Sequence, residues 1–296
     1  MIKMKKFCTT IGNFDGLHIG HKAMITEIIN KSKLLDLSSQ VITFNPYPFE
    51  HFKFDKKRIL GDRDKLEMLN DLGVDRVISI DFNQDFSELT AESFFTKYIL
   101  DEGTKYLTVG KDFKFGKDRS GNVLILENLC KQNGIKFEVF EDVDQGGERI
   151  SSTRIRDQLS KGNFEQAERM LGYKYRITGQ TISGKKLGRR IDTPTANIEI
   201  DNQEFCLNGV YLCKTKLNDE MFFSIVNFGP KPTFDDYKQS LEAHLLDFEG
   251  NLYNQSVCVE FLCKIRDQVK FASIDELKAQ INKDKKTAFE LIKSYE

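Results

Sequence analysis

Gly12-Asn13-Phe14-Asp15-Gly16-Leu17-His18-Ile19-Gly20-His21 is the stretch that decides the fold of the first half of this chain. It follows a short apolar run, Phe7–Ile11, and it precedes Ala23–Leu35, where apolar residues recur with helical spacing. The predicted order is therefore a strand, a glycine-rich turn and a helix. Glycines on both sides of the turn let a ligand approach the backbone closely, and a helix N-terminus attracts phosphate. The imidazoles of His18 and His21 thus face a predicted phosphate site.

Strand-like and helix-like segments alternate through the whole first half. Strands are predicted at Phe7–Ile11, Val41–Phe44, Val74–Ile80, Tyr106–Val109 and Phe137–Glu141, and helices at Ala23–Leu35, Arg63–Leu72, Ala91–Leu100 and Asn122–Gln132. This order favours a Rossmann-like α/β domain, in which helices cover both faces of a parallel sheet. Ligands of such sheets bind at the carboxyl ends of the strands, which is where the turn after Ile11 lies.

The second half has a different pattern. One helical stretch is predicted from about Thr153 to Leu171, and we place a domain boundary near Gly172-Tyr173, giving domains 1–172 and 173–296. Short segments then alternate apolar and polar residues, which predicts an antiparallel sheet or small barrel. These segments are Tyr175–Thr178, Val210–Thr215, Phe222–Val226, Leu241–Phe248 and Val257–Ile265. Ser273 and Glu276 form a capping box for a closing helix.

Composition excludes several classes of protein. The 296 residues include 44 Lys and Arg against 45 Asp and Glu, and the net charge of -1 argues against a general nucleic-acid binder. No apolar run approaches the roughly 20 residues of a membrane span. The 6 cysteines lack the spacing of a zinc site or a disulfide framework, which predicts reduced thiols in a cytoplasmic protein.

Polar segments follow three other predicted elements of the first half. Thr43–Pro48 ends the second strand, Gly110–Gly116 ends the fourth, and Ile150–Arg156 opens a helix after the fifth. Because the carboxyl ends of parallel strands share one edge, we expect these loops to form one site with the first turn. The hydroxyls of the last segment can bind phosphate at a helix start, and its arginines can bind phosphate in bidentate fashion. A plain helix cap with two solvated arginines is the alternative.

Together these four segments resemble the adenylyltransferase module of the bacterial bifunctional riboflavin kinase/FMN adenylyltransferases, or FAD synthetases, over most of residues 7–160. The resemblance implies that an FMN phosphate oxygen attacks the α-phosphate of ATP and that pyrophosphate leaves, without a covalent enzyme intermediate. His18 and His21 are implied as catalytic contacts to the triphosphate. The implied ATP and phosphate ligands are Asn13, Asp15, Gly16, Ser152, Thr153 and Arg156, and Asp112 is implied beside the flavin.

One motif departs from the family pattern. The family usually reads Pro-His-Pro where this chain has Pro46-Tyr47-Pro48. Tyrosine donates a hydrogen bond but does not become a cation near neutral pH, so the change bears on the rate or substrate preference of this module.

The class I aminoacyl-tRNA synthetases also carry an H-x-G-H turn, but they are usually longer and have a Lys-rich second signature. Here Ser151–Arg156 stands in that role.

A loop rich in glycine and lysine, Gly179–Arg189, opens the chemistry of the second half. Gly184 and Lys185 suit phosphate, since backbone N–H groups and an ammonium can both reach it. Thr195 and Asn197 follow in a Pro-Thr-Ala-Asn string, and in an extended segment both side chains point to one face. Their oxygens suit a hard cation such as Mg²⁺. Taken alone, these two residues are ordinary turn or strand-edge residues.

Glu242 lies in the alternating run Leu241–Leu245. A carboxylate beside an acceptor hydroxyl can act as a general base, although a lone glutamate in a strand is usually solvated. The Pro-Thr-Ala-Asn string, Asn227–Phe234 and the Glu242 run resemble, in family order, the riboflavin kinase module over about residues 175–275. The resemblance implies a six-stranded Greek-key barrel with a trailing helix.

The same resemblance implies transfer of the γ-phosphate of ATP to the 5′-hydroxyl of riboflavin. Thr195 and Asn197 would hold Mg²⁺ and contact ATP, and Glu242 would be the base. Arg266 and Phe271 match positions that usually lie near the flavin.

This half also departs from the pattern at two positions. Asp192 stands where the family commonly has glycine, and its charge either repels ATP or pairs with Arg189 or Arg190. Asn254 stands where another glycine is expected, a mild change because asparagine tolerates a left-handed backbone.

Three functions remain open from the sequence. The leading hypothesis is a bifunctional enzyme of flavin cofactor biosynthesis that uses ATP and Mg²⁺ and makes FMN and FAD. The alternatives are a paralogue that retains one of the two activities and a non-catalytic flavin-binding regulator. We expect a cytoplasmic monomer or weak homo-oligomer whose partners are riboflavin, FMN and ATP, with neither nucleic acid nor membrane among them.

Overall fold

The computed structural model describes residues 5–182, 195–200, 203–231, 236–250 and 252–296. The chain divides into two compact units. The first unit comprises Met1–Lys56 and Asp62–Ser152, and the second comprises Lys57–Gly61 and Thr153–Glu296. A short segment from the first half of the sequence, Lys57–Gly61, therefore packs with the second half.

A parallel sheet forms the centre of the first unit. Its strands are β1 (Phe7–Ile11), β2 (Ser38–Phe44), β3 (Arg76–Ile80), β4 (Thr104–Gly110) and β5 (Lys136–Phe140). They lie in the order β3-β2-β1-β4-β5, and every neighbouring pair is parallel. Every residue of the central strand β1 is buried, as expected for a sheet covered on both faces. The predicted Rossmann-like sheet is confirmed.

Helices and short turns connect these strands. They are α1 (Ile19–Leu34), α2 (Pro48–His51), α3 (Asp62–Asp71), α4 (Gln84–Ser87), α5 (Ala91–Phe95) with a π-helical turn at Thr96–Leu100, a 3₁₀ turn at Lys117–Arg119, and α6 (Val123–Gln132). The helices α2 and α4 were not predicted, because one helical turn is too short to show a hydrophobic period. A small hairpin of β6 (Asp144–Gln145) and β7 (Glu148–Arg149) follows β5.

The helical stretch predicted from about Thr153 to Leu171 is interrupted in the structure. The structure has two helices there, α7 (Ser152–Ser160) and α8 (Phe164–Leu171). Gly162 separates them with a φ of +78°, a left-handed conformation that suits glycine and ends a helix.

A closed barrel forms the second unit. Its strands are β8 (Arg176–Ile182), β9 (Ala196–Ile198), β10 (Gly209–Leu217), β11 (Glu220–Lys231), β12 (Asp236–Leu245) and β13 (Ser256–Arg266). The closed order is β10-β11-β12-β9-β8-β13, and neighbouring strands are antiparallel. The predicted six-stranded barrel is confirmed, although the strand pattern missed β9, which is only three residues long.

The trailing helix α9 (Ile274–Ile292) packs on the barrel through Ala288 and Ile292, which cluster with Leu212 and Leu246. Ser273 caps the helix as predicted, since its Oγ accepts the backbone N–H of Glu276 at 3.2 Å. The reciprocal bond differs from a standard capping box. The Glu276 carboxylate accepts the N–H of Ala272 at 3.0 Å, one residue before the cap.

Aromatic side chains tie α8 and the Lys57–Gly61 segment into the barrel unit. The Phe164 ring of α8 stacks on Phe261 with centroids 5.7 Å apart and contacts Tyr211 edge-on at 5.7 Å. The Tyr175 hydroxyl donates to the carbonyl of Ile59 at 2.7 Å.

Within the described part of the chain, none of the helices has the length and apolarity that a membrane crossing needs.

Candidate active sites

The imidazoles of His18 and His21 stack on each other at the N-terminus of α1, with centroids 3.6 Å apart and planes 17° from parallel. His18 caps the helix, and its Nδ1 accepts the backbone N–H of His21 at 3.3 Å. Because Nδ1 is an acceptor, the neutral His18 ring carries its proton on Nε2. The pair therefore stands at the positive end of the helix dipole, where an anionic phosphate is favoured.

The turn before these histidines has an unusual backbone. Phe14, Gly16 and Leu17 have φ values of +50°, +80° and +35°. Positive φ is unfavourable for residues other than glycine, at a cost of about 1–3 kcal/mol each, and such residues cluster at functional sites. The buried Phe14 ring contacts His21 edge-on with centroids 5.3 Å apart, so the strained turn also supports the imidazole pair.

Two hydroxyls hold the carbonyl groups of this turn. Thr43 Oγ1, near the end of β2, donates to the Asn13 carbonyl at 3.1 Å. Ser152 Oγ, at the start of α7, donates to the carbonyl of the buried Asp15 at 3.0 Å. The turn that contains Asn13, Asp15, Gly16 and the two histidines is thus joined to Ser152, as the shared-edge argument expects.

Thr153 and Arg156 lie further along α7, in the second unit. The Arg156 Nε donates to the carbonyl of Lys57 at 2.7 Å, a bond that the sequence did not predict. A guanidinium has five N–H donors, and this bond fixes the orientation of one of them in Arg156.

Asp112 belongs to a network of charges on the loops after β4 and β5. Arg149 Nη1 lies 2.7 Å from the Asp112 carboxylate, and Arg149 Nη2 lies 3.0 Å from Asp142. Lys111 also pairs with Asp142, and this partner raises the pKa of the Lys111 ammonium above its ordinary value. The sequence did not indicate the ion pairs of Arg149, because they form only where two loops meet and no local spacing shows that.

A group of aromatic side chains was also missed. The aromatic cluster comprises His51, Phe52, Phe54, Phe82 and Phe86, which follow the carboxyl ends of β2 and β3. Phe52 contacts Phe54 and Phe82 with centroids 5.9 and 5.8 Å apart, and Phe82 contacts Phe86 at 5.0 Å. Phe52 and Phe54 are 50% and 63% exposed, so the cluster offers apolar ring faces to solvent. The available signal was 24 phenylalanines in a chain without tryptophan.

Three polar residues on adjacent strands form what we call the Glu242 row. Glu242 on β12 pairs directly with Asn197 on β9 and with Asn227 on β11. Directly opposed residues have Cβ atoms about 4.5–5.5 Å apart. All three are half-buried, whereas the neighbouring Leu241 and Ala243 are buried on the other face of the sheet. The barrel register therefore brings the predicted base beside a predicted Mg²⁺ ligand.

The other predicted ATP and metal residues of this half flank the row. Thr195 is exposed and lies two residues before Asn197, immediately ahead of β9. Gly184, Lys185 and Asp192 lie outside the described residues. Among the residues that are described, no group of three or more His, Cys, Asp or Glu side chains could hold a metal ion.

The predicted flavin residues Arg266 and Phe271 lie near each other at the end of β13. The Arg266 guanidinium carbon is 5.8 Å from the Phe271 ring centroid. Arg266 also binds the buried Asp284 of α9, through Nε at 2.9 and 3.0 Å and through Nη2 at 2.8 Å. Gln268, between them, donates to the Asn227 side chain at 2.9 Å. This segment is therefore joined both to α9 and to the Glu242 row.

Comparison with known proteins identifies both units. The FAD synthetase family model matches residues 2–154, and the riboflavin kinase family model matches residues 171–292. The bifunctional riboflavin kinase/FMN adenylyltransferase of Haemophilus influenzae is 41% identical over 283 residues, which are 94% of this chain and 92% of that protein. This chain belongs to the bifunctional riboflavin kinase/FMN adenylyltransferase family. The family predicted from the motifs is confirmed.

Other relatives agree with this family over nearly the whole chain. The enzyme of the same description from Escherichia coli K12 is 38% identical and covers 95% of this chain and 91% of its own length. A crystal structure from Streptococcus pneumoniae, described as a macrolide-efflux protein, matches 97% of this chain and 95% of its own. Its TM-score is 0.76 at 28% identity, so it has the same fold as this family member.

Proposed function

We propose that this chain phosphorylates riboflavin to FMN with ATP and then adenylylates FMN to FAD with release of pyrophosphate. The observation that carries the proposal is the match of both family modules, in order, along nearly the whole chain. The site residues of each module support it, since the first unit holds the histidine pair and the second holds the Glu242 row.

Glu242 is the proposed general base of the kinase reaction. Its carboxylate would take the proton of the riboflavin 5′-hydroxyl while that oxygen attacks the γ-phosphorus of ATP and ADP leaves. The strand register places Glu242 directly opposite Asn197 and Asn227, so the proposed base stands between two polar side chains on the same face of the barrel.

Mg²⁺ is the proposed cofactor of the kinase module. The Asn197 amide lies opposite Glu242 and the Thr195 hydroxyl belongs to the residue two positions earlier; both supply oxygen ligands that fit a hard cation, which keeps most of its waters and also takes substrate phosphates. When bound, Mg²⁺ would neutralise charge on the phosphates of ATP. Gly184 and Lys185, outside the described residues, are the proposed cradle for those phosphates.

Adenylyl transfer in the first module needs only positioning and charge stabilisation. A phosphate oxygen of FMN would attack the α-phosphorus of ATP, and the bond to pyrophosphate would break. His18 and His21, at the positive end of α1, would stabilise the charge that develops on the triphosphate. Asn13, Asp15 and Gly16 would contact the nucleotide, and Ser152, Thr153 and Arg156 are the proposed ligands of the departing phosphates.

Flavin recognition is proposed for two regions. In the first unit, the exposed rings of Phe52 and Phe54 offer stacking faces for the isoalloxazine, and Asp112, on the loop after β4, is a further proposed flavin contact. In the second unit, Arg266 and Phe271 are the proposed flavin contacts, linked to the Glu242 row by the Gln268 side chain.

We propose a cytoplasmic enzyme, monomeric or weakly self-associating, that acts on small molecules and has no nucleic-acid or membrane partner. The net charge of -1 supports the absence of nucleic acid from its partners. The functional boundary is proposed between residues 172 and 173, at the turn between α8 and the first barrel strand.

Product analysis by chromatography tests the proposal. Pure protein is incubated with ATP, Mg²⁺ and riboflavin, and in a second tube with ATP, Mg²⁺ and FMN. FAD in both tubes is the expected result. The proposal would be contradicted if neither tube contained product with oxidised or with reduced flavin. A cooperative thermal transition in circular dichroism would show that the protein used is folded.

A single-activity kinase is the second candidate function. It is favoured by one observation, the tyrosine at position 47 where the family motif usually carries histidine. That enzyme would convert riboflavin to FMN and leave supplied FMN unchanged in the same assay.

A further inference from the structure

Lys65 of α3 is a fully buried lysine at the carboxyl end of β2. Its side chain is 0% exposed, and its Nζ lies 3.0 Å from the Asp62 carboxylate. The same ammonium donates to the Phe44 carbonyl at 3.3 Å and to Thr43 Oγ1 at 3.4 Å. Burying an ammonium is costly unless it is paired and hydrogen-bonded. The surroundings of Lys65 are therefore built to hold a positive charge inside the first unit.

The ring of Tyr47 forms one wall of this environment. Lys65 Nζ lies 4.4 Å from the Tyr47 ring centroid, and Tyr47 is 0% exposed. A cation over the face of a tyrosine ring is attracted by its quadrupole, most strongly when both are desolvated. An imidazole in the same place offers a poorer ring face and becomes a like charge when protonated. Position 47 is therefore suited to tyrosine as long as Lys65 faces it.

Thr43 connects this buried charge to the turn of the first candidate site. Its hydroxyl accepts a hydrogen bond from Lys65 and donates its own proton to the Asn13 carbonyl at 3.1 Å. Hydrogen bonds in such a chain polarise one another, so the ammonium strengthens the bond that holds Asn13. The turn held in this way leads directly into the helix that carries the two histidines.

We propose that Lys65 is a positioning residue for adenylyl transfer, and that Tyr47 and Lys65 are a matched pair. The ring accommodates the ammonium, and the ammonium acts through Thr43 on the turn that contains Asn13. The inference rests on the proposed function of the first unit. On this inference, Tyr47 accommodates a buried cation, and its presence does not signal loss of adenylyltransferase activity.

Steady-state formation of FAD from FMN and ATP tests the pair. Lys65→Met keeps the apolar stem and removes the charge, and it should lower kcat about tenfold while KM for FMN changes less than about twofold. Tyr47→Phe keeps the ring face and should retain about tenfold more kcat than Tyr47→His. Replacing tyrosine by the usual family residue is thus expected to damage this enzyme.

A second variant separates positioning from folding. Thr43→Val has nearly the same shape as wild type but breaks the connection between Lys65 and Asn13, and it should lower kcat with an unchanged KM for FMN. Lys97→Met is the matched control, because Lys97 is exposed and lies 5.3 Å from the Tyr98 ring without contact to the turn. It should leave FAD formation within about twofold of wild type.

Three results would overturn the inference. The first is a kcat of Tyr47→His equal to that of Tyr47→Phe. The second is a wild-type kcat in Thr43→Val. The third is a Lys65→Met enzyme whose KM for FMN rises while its kcat stays at the wild-type value. If Lys65→Met fails to fold, the Thr43 and Tyr47 variants still decide the matter. A wild-type protein that makes no FAD refutes the proposed function itself, whereas an active wild type with indifferent variants refutes only the inference.

Discussion

The two candidate sites of this chain are built in different ways. In the second unit, Asn197, Glu242 and Asn227 come together because three strands pair in a fixed register. In the first unit, the histidines are held by a strained turn whose carbonyls are anchored by Thr43 and Ser152. Where strand register positions the functional side chains, the sheet itself holds them in place. Where loops position them, further side chains have to hold the loop backbone.

This difference predicts where mutations act. In the barrel, the acting side chain itself should carry most of the effect, and its neighbours should matter less. In the first unit, residues that never touch a substrate should still change the rate, since they set the backbone of the turn. Substitutions at Glu242, His21, Asp284 and Asp75 test that contrast.

Glu242→Gln should lower FMN formation from riboflavin about 10³-fold, because the amide fills the same space but does not accept the hydroxyl proton. FAD formation from supplied FMN should stay at the wild-type rate, since Glu242 belongs to the other module. Both rates are measured by chromatography on the same preparation. Glu220→Gln, at the exposed start of β11, is the control for loss of a strand carboxylate. Normal kinase turnover in Glu242→Gln would remove Glu242 as the base.

His21→Ala should lower FAD formation about 10²-fold, because it removes a donor to the developing charge and the partner on which His18 stacks. FMN formation from riboflavin should be unaffected in the same tube. Equal loss of both products in a folded protein would contradict the assignment of the two activities to separate sites.

Asp284→Asn tests whether the flavin edge of the barrel site is also structural. The variant keeps an acceptor but removes the charge that Arg266 faces, and it should lower the free energy of unfolding by about 2 kcal/mol. Urea denaturation, followed by the signal of the barrel unit, measures the change. Lys286→Gln, at an exposed position of α9, is the matched control. Unchanged stability together with a raised KM for riboflavin would show that Arg266 serves the flavin and not the helix.

Sequence patterns predicted the fold well because the fold follows from local periodicity. Alternating strands and helices gave the parallel sheet, and alternating residues gave the barrel. The errors fall where the local signal is short or absent. The three-residue strand β9 has too few residues to show alternation, and one glycine, Gly162, was enough to divide the helix predicted from Thr153 to Leu171.

The candidate sites were predictable to the extent that the residues fall in motifs. The string around Asn197 and the run around Glu242 were found separately, but their pairing depends on strand register across a long stretch of chain. No sequence pattern indicated that Lys65 is buried, since a lysine in a helix rich in charged residues is usually solvated. Its burial depends on Tyr47 and Thr43, which contact it only in the folded unit.

Asp75 provides the smallest effect and separates stability from catalysis in the first unit. It lies before β3, where its carboxylate accepts the Ser39 N–H and hydroxyl, each at 2.8 Å, at the end of β2 opposite to Thr43. These bonds hold the pKa of Asp75 below its ordinary value. A lowered folded-state pKa means that the stabilisation is present at neutral pH and is lost as the pH falls below about 4, through the folded-state pKa.

Asp75→Asn should therefore lower the free energy of unfolding by less than about 1 kcal/mol at neutral pH, because the carboxylate is exposed to solvent. The difference from wild type should shrink as the pH falls toward that range. Thermal melts at several pH values measure it, with the exposed Asp71→Asn as control. FAD formation should not change, since the strand end near Asp75 is remote from the turn that Thr43 holds. A fall in kcat without a fall in the free energy of unfolding would mean that residues along the whole of β2 support the turn. The first site would then depend on more distant residues than Thr43 and Lys65, and it would differ still more from the barrel site.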